Sequence, residues 1–256
     1  MQVEFSHRSP IEKELNFSNW TKKEGILLLL LDLDDTICPT RPLFQRKIHD
    51  ACQFLHQEYP QKLPQVWKQE IQVINDDLFE KYGVNPNRWN LLVNELEKSN
   101  SISKYTTNKT LEIFNSIYST PLSFLPGAQE GLMFFKKVNQ PLGIVTHGNQ
   151  NWTWKKYNNW LGLDRFVGWD DVYIVDENGH KTEESWLKSI NFFKRNPNEC
   201  AGAGDSPRSD INPLMSIGVR HCFLIDDSNL WSIHQQPVDP SVRLINNLSQ
   251  IPDKIF

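Results

Sequence analysis

Five short, nearly uninterrupted apolar runs punctuate the chain: Ile26 to Leu31, Leu142 to Val145, Val172 to Val175, Cys200 to Ala203 and Cys222 to Ile225. Runs of this length bounded by turn signals suit strands buried on both faces. Helical patterns separate most of them: "PGAQEGLMFFKKV" from Pro126, "NWTWKKYNNWLG" from Asn151, and "TEESWLKSINFFKR" from Thr182, which opens on a weak capping box of Thr182 and Ser185. Strands alternating with helices predict an α/β fold, a parallel sheet with helices on both sides. The segment after Ile225 is expected to complete the edge of that sheet, with Asp226 and Asp227 in a solvated loop.

The alternation breaks between Pro39 and Pro121, where no strand pattern is found. Val66, Trp67, Ile71, Ile74, Leu78 and Phe79 recur at helical spacing, and further helices are expected over Leu43 to His56, Asn87 to Lys98 and Thr110 to Ser119. Pro60, Pro64 and "YGVNPN" break them. A chain of 256 residues is long enough for a core domain with a smaller companion. The expected division is a core of residues 1–38 and 122–256 and a helical insert of residues 39–121.

Apolar residues make up 39% and charged residues 23%, which fits a globular protein. A net charge of -4 without a Lys/Arg block argues against nucleic acid or an anionic membrane as main partner. Cys38, Cys52, Cys200 and Cys222 show no close pairing and read as buried, reduced thiols of a cytosolic protein. The longest apolar run is about a third of the roughly 20 residues a bilayer span needs, and the first twenty-five residues lack the apolar centre of a signal peptide. The expected location is the cytoplasm. The sequence gives no oligomeric state.

Charge is concentrated where the strands end. "LLLLLDLDDT" runs from Leu27 into Asp32, Asp34 and Asp35, and "AGAGDSPRSDI" places Asp205 after the fourth run with Asp210 five residues later. In an open parallel sheet, ligands sit beyond the carboxyl ends of the strands. Alternation sends Asp32 and Asp34 to one side of the backbone. Two carboxylates about 5 Å apart repel by roughly 3 kcal/mol at an effective dielectric near 20, so an uncompensated cluster is hard to hold. An all-oxygen set without His or Cys favours Mg²⁺ over Zn²⁺. Two further features stand at strand ends or turns: "GIVTHG", where Thr146, His147 and Gly148 could cradle an anion, and Lys181 after the turn "DENGH".

These elements, in this order, resemble the haloacid dehalogenase-like hydrolase superfamily, most of whose members are Mg²⁺-dependent phosphatases. "LDLDDTI" looks like the first family motif, "IVTHG" the second, Lys181 the third and "GAGDSPRSDI" the fourth. "LPGAQEGLMFFKK" and "WLGLDRF" extend the likeness around the second motif, and Lys181 precedes Asp205 by 24 residues, as the family places them. The chain departs from the pattern at Thr182, where proline usually follows the lysine, and at His147, where asparagine is common; Lys188 is a second candidate for the lysine role.

The resemblance implies a three-layer Rossmann-like core carrying an all-helical cap of the C1 type at the insert. It implies that Asp32 attacks phosphorus to give an aspartyl-phosphate and that Asp34 acts as acid and then base. The Asp34 carbonyl and the carboxylates of Asp32 and Asp205 would hold Mg²⁺, with Asp210 acting through water or by orienting Lys181. Thr146, the His147 N–H and Lys181 would hold the phosphoryl oxygens of a small phosphorylated metabolite. Asp35 and Thr36 would serve the turn's hydrogen bonding. Asp34 argues against halide displacement, while a phosphomutase or a non-catalytic phosphate-binding module remain alternatives. In the insert, Arg41, Arg46, Trp67, Arg88 and Trp89 are candidate substrate contacts, but the tryptophans read better as core packing and the arginines as a solvated face. Trp152, Trp154 and Trp160 likewise read as helix packing.

Overall fold

The computed structural model describes residues 9–226 and 235–255. Among these residues six strands, β1 (Leu28–Leu31), β2 (Leu142–His147), β3 (Val172–Val175), β4 (Cys200–Gly204), β5 (His221–Ile225) and β6 (Arg243–Ile245), form one parallel sheet in the order β3-β2-β1-β4-β5-β6. All five apolar runs of the sequence become strands. The first starts two residues into its run, at Leu28; Leu27 before it is exposed, and its N–H donates to the Glu199 carbonyl at 2.8 Å. The order turns back between β1 and β4, the switch point where such sheets open a crevice.

Among the described residues nine α-helices accompany the strands: α1 (Pro10–Glu24), α2 (Thr40–Glu58), α3 (Pro64–Tyr82), α4 (Arg88–Asn100), α5 (Lys104–Asn115), α6 (Ala128–Lys137), α7 (Gln150–Trp154), α8 (Glu183–Phe192) and α9 (Asn212–Ser216). Alternation along β1 splits the core. Leu29 and Leu31 pack with Phe17 and Trp20 of α1 and Leu132 and Phe135 of α6 on one face. Leu28 and Leu30 pack with Trp186 and Ile190 of α8 and Leu214 of α9 on the other. The result is a three-layer α/β sandwich, with each fully buried leucine contributing roughly 1.5–3 kcal/mol.

Helices α2 to α5 enclose their own core, in which Trp67, Ile71, Trp89, Leu92 and Phe114 are buried and the Trp89 and Phe114 rings stack at 4.6 Å. Trp67 and Trp89 therefore do the packing expected of them. Arg46 is exposed, as expected of a solvated face, but Arg41 and Arg88 are only 3% and 5% exposed. That expectation is corrected: Arg41 is drawn inward by Asp205 and Asp35, and Arg88 lies against the Phe79 and Trp89 rings.

The bundle is seated on the sheet's carboxyl end. Gly83, with φ of +59°, ends α3 where a Cβ would come within 2.6 Å of the Glu177 and Gly179 carbonyl oxygens, so only glycine fits. The Val84 N–H donates to the Glu177 carbonyl at 3.0 Å, and Arg208 pairs with Glu80 at 2.7 Å. Beyond the foreseen elements, α1 opens on a capping box of Ser9 and Glu12. β6 supplies the sheet edge expected after Ile225; Asp226 is exposed, and Asp227 lies outside the described residues.

Candidate active site

Because β1 and β4 are neighbours in register, with Leu31 opposite Ala203, the residues that follow them arrive side by side. The Asp32 N–H donates to the Ala203 carbonyl at 3.0 Å, fixing that carboxylate at the crevice. Asp205 follows β4 directly. Asp210 returns to it from the wide helical turn Pro207–Ile211, its Oδ2 accepting from the Ser206 N–H at 3.0 Å. Carboxylate oxygens of Asp32, Asp205 and Asp210 lie within 4.8 Å of one another, all buried.

Two buried cations enter this cluster. Lys181 donates to Asp32 and, at 2.7 Å, to Asp210 Oδ1. Arg41, from the first turn of α2, pairs with Asp205 and lies 3.6 Å from Asp35. Asp35 holds a left-handed turn at φ of +60° and accepts from the Arg41 N–H at 2.8 Å and the Thr40 hydroxyl at 3.0 Å, so it ties α2 to the loop after β1. Lys188, by contrast, is exposed on α8 and pairs with Glu184 at 2.6 Å.

The carboxylates respond to this crowding. Burial, opposed by Lys181 and reinforced by Asp210 and Asp34, pushes Asp32 up to about 7. Burial likewise raises Asp35 to about 6 against the pull of Arg41, and burial with the charges of Asp35, Asp210 and Asp32 lifts Asp205 well above the carboxylate range. Burial alone would lower Lys181, but Asp210 and Asp32 outweigh it and hold its ammonium above the usual value. Four full carboxylate charges on Asp32, Asp35, Asp205 and Asp210 would exceed the two positive charges of Lys181 and Arg41 by two. A doubly charged cation bound by oxygen donors would balance them.

Beside the acids, Thr146, next to last in β2, is fully buried, and its Oγ1 has no hydrogen-bond partner. His147 follows with its Nε2 also sealed and unpartnered, against Gly83 of the insert. Burial, then the charges of Lys181 and His180, push His147 down to about 3, so its ring is neutral at ordinary pH. Asp32, Asp34, His147, Lys181, Asp205 and Asp210 line one cavity of about 180 Å³, while Thr146 stands next to that lining rather than in it.

Asp34 is not part of the three-carboxylate cluster. Its carboxylate turns to Lys156, whose Nζ is 2.6 and 2.8 Å from the two oxygens. Sequence reading missed Lys156, although it lies four residues after Trp152 and four before Trp160, both assigned to packing, and so shares their helix face. Trp152 packs against Phe44 and Tyr118, and Trp154 against Tyr157 and Trp169. Trp160 packs onto the helical core of the insert.

A family model described as haloacid dehalogenase-like hydrolase matches residues 26–218. A glyceraldehyde 3-phosphate phosphatase of Pyrococcus furiosus is 27% identical over 199 residues, covering 76% of this chain and 79% of that protein. Among solved structures, a haloacid dehalogenase-like hydrolase of Xanthomonas campestris superposes with a TM-score of 0.73 at 16% identity, covering 90% of both chains. A HAD phosphatase of Thermococcus onnurineus gives 0.58 at 19% identity over 89% of this chain and 97% of that one. With three quarters of its length inside the family match and the family's sheet at its core, this chain belongs to the haloacid dehalogenase-like hydrolases.

Proposed function

We propose that this hydrolase is a Mg²⁺-dependent phosphatase that hydrolyses a small phosphomonoester through an aspartyl-phosphate on Asp32. The observation that carries the reading is the convergence of Asp32, Asp205 and Asp210 within 4.8 Å, with Lys181 bonded to two of them and the orphaned Thr146 hydroxyl at the adjoining strand end. The phosphatase relative from Pyrococcus furiosus supports the reaction class.

In this scheme a carboxylate oxygen of Asp32 forms the bond to phosphorus as the bond to the leaving oxygen breaks. Asp34 gives that oxygen its proton. Water then attacks the acyl phosphate, Asp34 takes the water's proton, and inorganic phosphate departs with Asp32 restored. Lys181, the Thr146 hydroxyl and the His147 N–H hold the phosphoryl oxygens throughout. Asp32, Asp205 and the Asp34 carbonyl would hold Mg²⁺, with Asp210 keeping Lys181 in place. Bound there, the ion supplies positive charge against the phosphoryl oxygens.

Residues 1–38 and 122–256 form the catalytic core and residues 39–121 the cap, which the separate core of α2 to α5 supports. No helix among the described residues is long and apolar enough to cross a membrane. Four free, buried cysteines support a cytoplasmic location. The test is release of phosphate from p-nitrophenyl phosphate. Turnover should require Mg²⁺, stop with EDTA and vanish in Asp32→Asn; a wild-type protein inactive with every divalent metal and a broad ester panel would overturn the reading.

A further inference from the structure

The insert brings a cation to the cavity that none of the roles above uses. Arg88, at the start of α4, is 5% exposed and lines the cavity together with Asp32, Lys181 and His147. Its guanidinium lies over Trp89, 5.1 Å from the ring centroid, and over Phe79 at 5.6 Å. Nη1 donates to the Gly83 carbonyl at 2.8 Å, but Nε is sealed from solvent with no partner. Among the described residues no carboxylate forms an ion pair with Arg88; Asp76, on the same cavity wall, is the acid whose charge reaches it from a distance.

A buried cation without a contacting counter-charge is expensive to hold. Every other buried cation of the site, Lys181, Arg41 and Lys156, touches a carboxylate. Building on the phosphatase reading, we propose that Arg88 receives a carboxylate of the substrate, which makes the preferred substrate the phosphate monoester of a short hydroxy acid. The two ring contacts and the Gly83 bond hold the guanidinium in place and leave Nη2, which is not sealed, with donors for a carboxylate oxygen. Size points the same way: at about 180 Å³ the cavity is smaller than the roughly 300–1,000 Å³ that drug-sized ligands occupy. A single carboxyl group a few carbons from the phosphate fits it better than a nucleoside.

The test uses the full chain with Mg²⁺ and phosphonooxy carboxylic acids of two to four carbons, each paired with its neutral primary amide, and a bisphosphate of matching length. The wild type should favour the best acid over its amide by about 10- to 100-fold in kcat/KM, the range of a charge-assisted pair, and favour it over the bisphosphate. Arg88→Gln should collapse the acid-to-amide ratio toward one, a ratio in which any general loss of folded protein cancels. Should Arg88→Gln fail to fold, Arg88→Lys and the wild-type ratio decide. Equal use of acid and amide, or a ratio that survives in Arg88→Gln, overturns the carboxylate assignment while leaving the phosphatase reading intact. Preference for the bisphosphate overturns it in favour of a second phosphate. Hydrolysis of p-nitrophenyl phosphate but of none of these esters removes the hydroxy acid alone, and no hydrolysis of any ester removes both readings.

Discussion

The Lys156 ammonium, fully buried, lies 2.6 and 2.8 Å from the two carboxylate oxygens of Asp34, whose side chain keeps 24% of its surface. The lysine also sits over the Trp152 ring, 3.8 Å from its centroid. A wide helical turn over Lys155–Trp160 presents it, with the Leu161 N–H reaching back to the Lys156 carbonyl at 3.0 Å. Such insertions into helices gather at functional sites. Lys156 touches the proposed proton carrier rather than the cavity, so it is a positioning residue.

Lys156→Met should therefore lower kcat by roughly 10²-fold, since a misplaced acid loses much of the advantage of orientation. Its stability loss should stay near 3 kcal/mol, the low end for a broken buried pair, because Asp34 retains contact with the cavity. Asp34→Ala is the harsher change for folding, as it strands a cation with no exposed surface. Urea midpoints of the two variants test this order; a more stable Asp34→Ala would show that Lys156 finds another partner.

Magnesium should stabilise the folded protein. At a hundredfold excess over its dissociation constant a single-site ligand adds about 2.7 kcal/mol, read as a higher Tm that EDTA reverses. Asp205→Asn should lose most of that increment, because the raised carboxylates of Asp32 and Asp205 ionise only where positive charge compensates them. An undiminished Tm rise in Asp205→Asn would place the ion elsewhere.

Five strands of the sheet were legible because each is a short apolar run bounded by turn signals, while β6, Arg243–Ile245, was foreseen only as an edge after Ile225; Asp32, Asp205 and Lys181 were legible because they follow such runs or turns. Arg41 and Arg88 were not. Helical spacing puts a side chain on a face, but whether that face meets water depends on how the bundle sits on the sheet, which Gly83 and Val84 settle by contacts with Glu177 and Gly179 far along the chain. Lys156 was hidden for a related reason: a buried lysine is rare, and only the return of Asp34 from 122 residues away makes one tolerable. Helix α1 carried a local signal, Ser9 and Glu12 around Pro10, with Phe17, Trp20 and Thr21 at helical spacing, inside a segment whose mixed charge masked it.

His147 supplies a test by acid. Its folded value near 3 lies below the ordinary 6.5, so between those limits the unfolded chain binds a proton that the folded chain refuses, and stability rises with pH across the window. The groups facing it, Lys181, His180 and Arg88, all oppose its protonation. Going from pH 7.5 to 5.0, the wild type should lose about 2 kcal/mol more than His147→Asn. The raised aspartates act in the opposite sense and are common to both proteins, so the comparison isolates the histidine. Parallel urea midpoints for the two proteins across that range would mean the imidazole is already solvated.

Gly204 closes β4 directly beneath Asp210. A Cβ there would meet Asp210 Oδ2 at 2.5 Å and its Cβ and Cγ at 2.6 Å. Because the Asp210 Cβ is fixed to its backbone, no rotamer relieves the contact, and the turn Pro207–Ile211 must move. That turn holds Lys181 through Asp210 Oδ1. Gly204→Ala should therefore cost about 1–3 kcal/mol as an overpacked site and lower kcat/KM by more than about tenfold through the displaced lysine. In an Asp210→Gly background the obstructing side chain is gone, and the same substitution should cost little further stability. A double-mutant cycle by urea unfolding measures this as a coupling of at least about 1 kcal/mol; additive losses would mean that strand β4, rather than the Asp210 turn, absorbs the methyl group.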